Sequence, residues 1–68
     1  MLYHIKLSHP EDSYLEDVIN RNGIVHEIRY TSDISRAKLY DDEKNAKTDA
    51  EIIPVILPGV NGSVILAT

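Results

Sequence analysis

The chain has 68 residues, with 7 Lys+Arg against 11 Asp+Glu, a formal charge of −4, no Cys and no Trp. A chain this short forms one domain around one small core, so residues 1–68 are expected to be a single small α+β domain with no room for separate cofactor and substrate halves. Without Cys there is neither a disulfide framework nor a thiolate zinc site to staple it.

The opening residues, Met1-Leu2-Tyr3-His4-Ile5-Lys6, lack the apolar run of a signal peptide, and a cytoplasmic location is expected. No run of about 18 apolar residues occurs anywhere, so no membrane partner is expected either. Residues 2–7 alternate, with Tyr3, Ile5 and Leu7 on one face and Leu2, His4 and Lys6 on the other, the pattern of a half-buried strand. Ser8-His9-Pro10-Glu11 has the spacing of a capping box, and Pro10 is tolerated in a first turn. The stripe Tyr14, Leu15, Val18 and Ile19, closed by Gly23 after Asn22, predicts a helix over residues 10–21.

Residues 24–31 are rich in β-branched and aromatic types and predict a strand, with Ile24, His26, Ile28 and Tyr30 on one face and Val25, Glu27 and Arg29 on the other. After a turn at Thr31-Ser32-Asp33, residues 35–40 alternate again, placing Ala37 and Leu39 inward and Arg36, Lys38 and Tyr40 outward. Asp41 or Asp42 caps a second helix in which Ala46, Ala50 and Ile53 recur at i, i+4 and i+7, so the helix lies close to the sheet through its alanines. Pro54 bounds that helix, because the residue before a proline avoids the helical region. Residues 52–68 carry no charge, and their Pro and Gly divide them into strands at 55–57 and 63–67 around the turn Pro58-Gly59-Val60-Asn61-Gly62.

The resulting order, β-α-β-β-α-β, is that of a ferredoxin-like sandwich: two helices on one face of an antiparallel sheet, with room for one extra C-terminal strand. A three-stranded α+β arrangement with the tail as a separate hairpin is the alternative. In the sandwich the open sheet face holds His4, Lys6, Arg29, Arg36, Lys38 and Tyr40 beside Val25 and Glu27, and the acids lie on the helices. Four of the seven basic residues then share a face with one acid. Such a face would bind an anion, Arg29 and Arg36 supplying forked donors and Tyr40 or His4 a flat surface. It is also what an ordinary solvated sheet face looks like. Nucleic acid is disfavoured by the net charge and by the lack of a stacking aromatic pair.

The uncharged tail carries Val55, Ile56, Leu57, Val64, Ile65 and Leu66. It either pairs centrally in its own sheet, pairs with a second subunit, or adds a strand to a partner. Because a core this small seldom suffices alone, a homo-oligomer, dimer or higher, is expected, with these six residues at its interface.

Catalytic patterns are missing. His4, His9 and His26 have no ligand spacing, so no metal and no cofactor is expected. No serine sits in a G-x-S-x-G elbow, the glycine turn lacks the lysine of a phosphate loop, and Asp41-Asp42-Glu43 is accounted for as a helix start. The chain is therefore not expected to be an enzyme.

The stretch Ala37-Lys38-Leu39-Tyr40-Asp41-Asp42-Glu43-Lys44-Asn45-Ala46, continuing through Ala50, resembles small uncharacterised accessory proteins of phages and prophages of Gram-positive bacteria, in which a short strand runs into an acidic cap and a helix with alanines four apart. The resemblance carries no catalytic residues. It implies a phage-encoded protein in the host cytoplasm that acts by binding. Two functions result: a non-enzymatic module that binds and inhibits a host or defence protein, or an oligomer that sequesters a phosphorylated or nucleotide-like ligand on its basic sheet face.

Overall fold

The computed structural model describes residues 1–67. Its elements run β1 (Tyr3–Leu7), β2 (Ser13–Arg21), β3 (Ile24–Thr31), a 3-10 turn (Ile34–Arg36), α1 (Glu43–Ile56) and β4 (Gly62–Leu66). The four strands form one antiparallel sheet in the order β3-β2-β1-β4, and α1 packs on one face of it. The fold is α+β, but the ferredoxin-like arrangement is overturned, because the described residues hold one helix instead of two.

The helix expected at 10–21 is strand β2. Its apparent helical stripe has a different cause: a bulge. Leu15 lies opposite Tyr30 and Asp17 opposite Arg29, so Glu16 is an extra residue. One inserted residue turns the i, i+2 spacing of a strand face into i, i+3, and this puts Leu15 and Val18 together toward the core. Asn22 (φ 53°) and Gly23 (φ 79°) are both left-handed, the backbone of a two-residue hairpin turn between β2 and β3 rather than a helix stop. A second irregularity at Ile19/Asn20 makes His26 an extra residue on β3. It reverses the faces of that strand's first residues: Ile24 is exposed and Val25 packs against the core. Ser8 caps nothing. Its N–H donates to the Asn61 carbonyl (2.9 Å) and its hydroxyl accepts from the Asn61 N–H (2.8 Å), tying the ends of β1 and β4.

The strand expected at 35–40 divides in two. Asp33 accepts from the Ser35 N–H (3.0 Å) and hydroxyl (2.7 Å), which starts the 3-10 turn. Residues 37–40 then run extended where β1 and β2 diverge. Lys38 N–H donates to the Leu15 carbonyl (2.9 Å), and Tyr3 and Tyr40 exchange backbone bonds of 2.8 and 2.9 Å. Tyr40 is consequently buried and Leu39 exposed, opposite to the expected faces.

Asp42 is the cap of α1, accepting from the Lys44 N–H at 2.9 Å. The stripe Ala46, Ala50 and Ile53 is buried as its spacing implies. Pro54 does not end the helix, however. Val55 and Ile56 lie in its last turn and Leu57 is its C-cap, so no strand forms at 55–57. Here side-chain burial outweighs the local preference against helix before proline: Ile53 is fully buried, and Ile56 and Leu57 continue its stripe against the core. Among the described residues, no helix is long and apolar enough to cross a membrane.

The core joins Ile5, Leu7, Leu15, Ile28, Tyr40, Ala46, Ala50 and Ile53. At Gly62 a Cβ would lie 2.6 Å from Ile53 Cδ1, 2.9 Å from Ile5 Cγ2 and 3.4 Å from Ala50 Cα. The helix sits on the sheet at a point where the strand has no side chain. Gly62→Ala should therefore destabilise the fold by about 1–3 kcal/mol, an overpacking cost, read as a lower denaturant midpoint; an unchanged midpoint would show that this approach is not tight.

Candidate functional site

Register assigns the faces of the sheet. Tyr3, Ile5 and Leu7 face α1, together with their β4 partners Leu66, Val64 and Gly62. His4 and Lys6 face the other way with Ile65 and Ser63. Across β2 and β3 that second face continues through Tyr14, Asp17 and Ile19 and their partners Thr31, Arg29 and Glu27. No helix covers it among the described residues.

The structure distributes the six candidate ligand residues. Lys6 and Arg29 are exposed on the uncovered face, but Asp17 lies opposite Arg29, and Glu27 accepts from its Nε at 3.1 Å. With Arg21, which the same alternation places here opposite Ile24, three cations share this face with two anions, and it is not the basic platform expected from alternation. Arg36 belongs to the 3-10 turn and lies 3.7 Å from Glu16. Lys38 places its ammonium 5.3 Å from the Tyr40 ring centre.

Two of the six are drawn inside. His4 is buried, and its Nδ1 lies 3.0 Å from the Lys38 carbonyl. A carbonyl only accepts, so Nδ1 carries the proton. Tyr40 is buried in the core, and its hydroxyl donates to Asp49 on α1. Burial first, then this bond and the nearby charges of Asp49 and Asp17, raise the Tyr40 phenol well above its ordinary value. Asp33 is shifted the other way: the Ser35 hydroxyl and N–H hold its carboxyl below the ordinary value.

Of the tail residues, Val55 and Leu66 are exposed, and Ile56, Leu57, Val64 and Ile65 are partly buried. β4 is an edge strand, paired among the described residues only with β1. Between it and α1 runs an open groove of about 540 Å³, floored by Gly62 and Val64 and walled by Ala50 and Pro54, with Lys47 and Glu51 on the helix side. By its neighbours in the sequence, Gly62 reads as a turn residue. The available signal was the alanine stripe, since a helix that approaches closely needs a small residue beneath it.

The described residues contain no group of three or more His, Asp or Glu placed to hold a metal ion. The sheet leaves two surfaces open, one mixed polar and apolar face and one uncharged strand edge. No protein-family model, no curated protein and no solved structure matches this chain.

The phenol gives a pH test of the core. The folded state holds the Tyr40 proton, whereas the unfolded chain releases it near 10.0. Its contribution to stability is complete below that pH and is lost as pH rises above it. Denaturant midpoints measured across the alkaline range should fall for the wild type. In Tyr40→Phe this loss should be smaller, with a cost of about 1 kcal/mol at neutral pH for the missing bond to Asp49. Parallel alkaline profiles would contradict it.

Proposed function

We propose that the chain is a non-enzymatic binding module that recognises a protein partner through the uncovered face of its sheet. The observation that carries this reading is the one-sided covering: α1 shields one face, and the other presents partly exposed Tyr14, Ile19 and Ile65 among Lys6, Asp17, Glu27 and Arg29. Apolar side chains mixed with polar ones of both signs suit a protein surface. With three cations beside two anions, the face gives a polyanion little excess charge to bind, because such binding draws on excess positive charge.

The resemblance of residues 37–50 to phage accessory proteins directs the search for the partner to host and defence proteins, which the module would inhibit by occupying a surface they need. The ligand-sequestering alternative asks His4, Arg29, Arg36 and Tyr40 to converge, and no observed contact favours that.

Tyr14→Ala combined with Lys6→Glu tests the proposal. Host proteins retained by the immobilised wild type would be purified and titrated against both forms in excess nucleotide. The double variant should bind its partner at least tenfold more weakly, as expected when an aromatic anchor worth about 2 kcal/mol is lost, and keep the wild-type circular dichroism spectrum. Equal affinity of the two forms, or displacement of the partner by nucleotide, would overturn the assignment of this face.

A further inference from the structure

The outer edge of β4 has a definite hydrogen-bonding content. In an antiparallel ladder, residues alternate between those that bond the neighbouring strand and those whose N–H and C=O point away from it. The phase is fixed at both ends of the β1–β4 ladder. Ser8 N–H donates to the Asn61 carbonyl, and Ala67 N–H donates to the Leu2 carbonyl at 2.8 Å. Residues 61, 63, 65 and 67 therefore face β1, and Gly62, Val64 and Leu66 direct their backbone groups outward. The same phase sends the backbone groups of Tyr3 away from β4, where they meet Tyr40. No other described strand pairs with that outer edge.

The other edge of the sheet differs. β3 carries Glu27 and Arg29, and its ladder with β2 is interrupted twice. Charges and bulges are the devices that keep an edge from accepting another strand. β4, Gly-Ser-Val-Ile-Leu, has neither: it is uncharged, and its ladder with β1 is regular across five pairs.

We infer that β4 pairs edge to edge with β4 of a second copy of this chain, in an antiparallel register centred on Val64, to form a two-fold dimer. In this register Val64 faces its own counterpart and Gly62 faces the partner copy's Leu66, so all three outward residues of each strand are paired. Directly opposed residues share a face, and the partner's Leu66 thus projects on the α1 side, beside Gly62. That position is the mouth of the groove floored by Gly62 and Val64 and walled by Ala50 and Pro54. Leu66 is 56% exposed in the single chain, so the exposed knob and the vacant groove belong to one molecule and match under a two-fold axis. The helix side of the groove carries one cation and one anion, Lys47 and Glu51, and the strand carries no charge to repel its copy. The second copy also extends a core that has no disulfide to support it. This inference does not rest on the uncovered face, which stays free in the dimer.

Hydrogen exchange on the full chain, combined with sedimentation over a range of concentrations, tests it directly. The amides of Ser63 and Ile65 are bonded within the chain and should be slow at every concentration. Those of Val64 and Leu66 should exchange quickly when dilute and become slow as the sedimenting mass approaches twice 7.7 kDa. Leu66→Lys, at an exposed position, should keep the wild-type circular dichroism spectrum and weaken dimerisation on the order of a hundredfold, because each dimer loses two buried leucines. Lys6→Glu, on the opposite face, should leave dimerisation unchanged. The inference is overturned by a wild type that stays monomeric into the millimolar range, by Val64 and Leu66 amides that remain fast in a dimer, or by a dimer that Lys6→Glu breaks and Leu66→Lys does not.

Discussion

One close approach organises the molecule: α1 rests on β4 where Gly62 lies under Ala50 and Ile53. A single helix must close the core of a 68-residue chain, and it can do so only by sitting low over the sheet. Alanines on the helix and a glycine on the strand allow that, and Ile53 then reaches Ile5 across the space a side chain would have filled. The start of the helix is held from the opposite direction. Asp42 caps it, and Tyr40, two residues earlier, turns into the core to donate to Asp49. The same closeness leaves the outer flank of α1 uncovered, so the groove beside β4 follows directly from the way the core is closed.

Most of the strands and the helix position were legible from residue pattern, and the errors share a cause. Strand faces are counted by parity, and an inserted residue reverses every assignment beyond it. Glu16 gave β2 the Leu15–Val18 spacing of a helix, and His26 exchanged the faces of Ile24 and Val25. Asn22-Gly23 was the available corrective, because that pair between β-branched segments marks a hairpin at least as strongly as a helix end. Pro54 misled in a different way. Its local effect is real, but the burial of Ile53 next to it is a tertiary term that local preference does not contain.

The candidate site suffered more, since it was built on those same parities. Alternation places Tyr40 and His4 on a solvent face, yet a gap between β1 and β2, filled by residues 37–40, draws both inside. Nothing local announces that Tyr40 will find Asp49 nine residues on, or His4 the Lys38 carbonyl. Arg29 stayed on the uncovered face, but the strand that replaced the predicted helix brought Asp17 alongside it. The lack of charge in the tail was legible because composition does not depend on parity. It marked a strand at 63–67, where β4 runs Gly62–Leu66, and left open whether that strand is central or an edge; at 55–57 it mistook helix for strand.

The contrast between the two sheet edges limits what self-association can build. Open-ended addition of strands needs an acceptor at each end of the sheet, so that every added copy presents a fresh edge. β3 is blunted by Glu27, Arg29 and two irregularities in its pairing, whereas β4 is bare. In the proposed dimer, pairing bare edge to bare edge would consume both and leave only blunted ones outside, so growth would stop at two copies. Opposed residues of antiparallel strands share a face, and the two helices of such a dimer would therefore fall on one side of an eight-stranded sheet. The uncovered faces would join on the other, doubling the proposed recognition surface without adding a residue to the chain. In that proposed architecture the missing charge on β4 and the mixed charge on the uncovered face would have separate roles: the first would close the assembly, and the second would keep the proposed recognition surface in water.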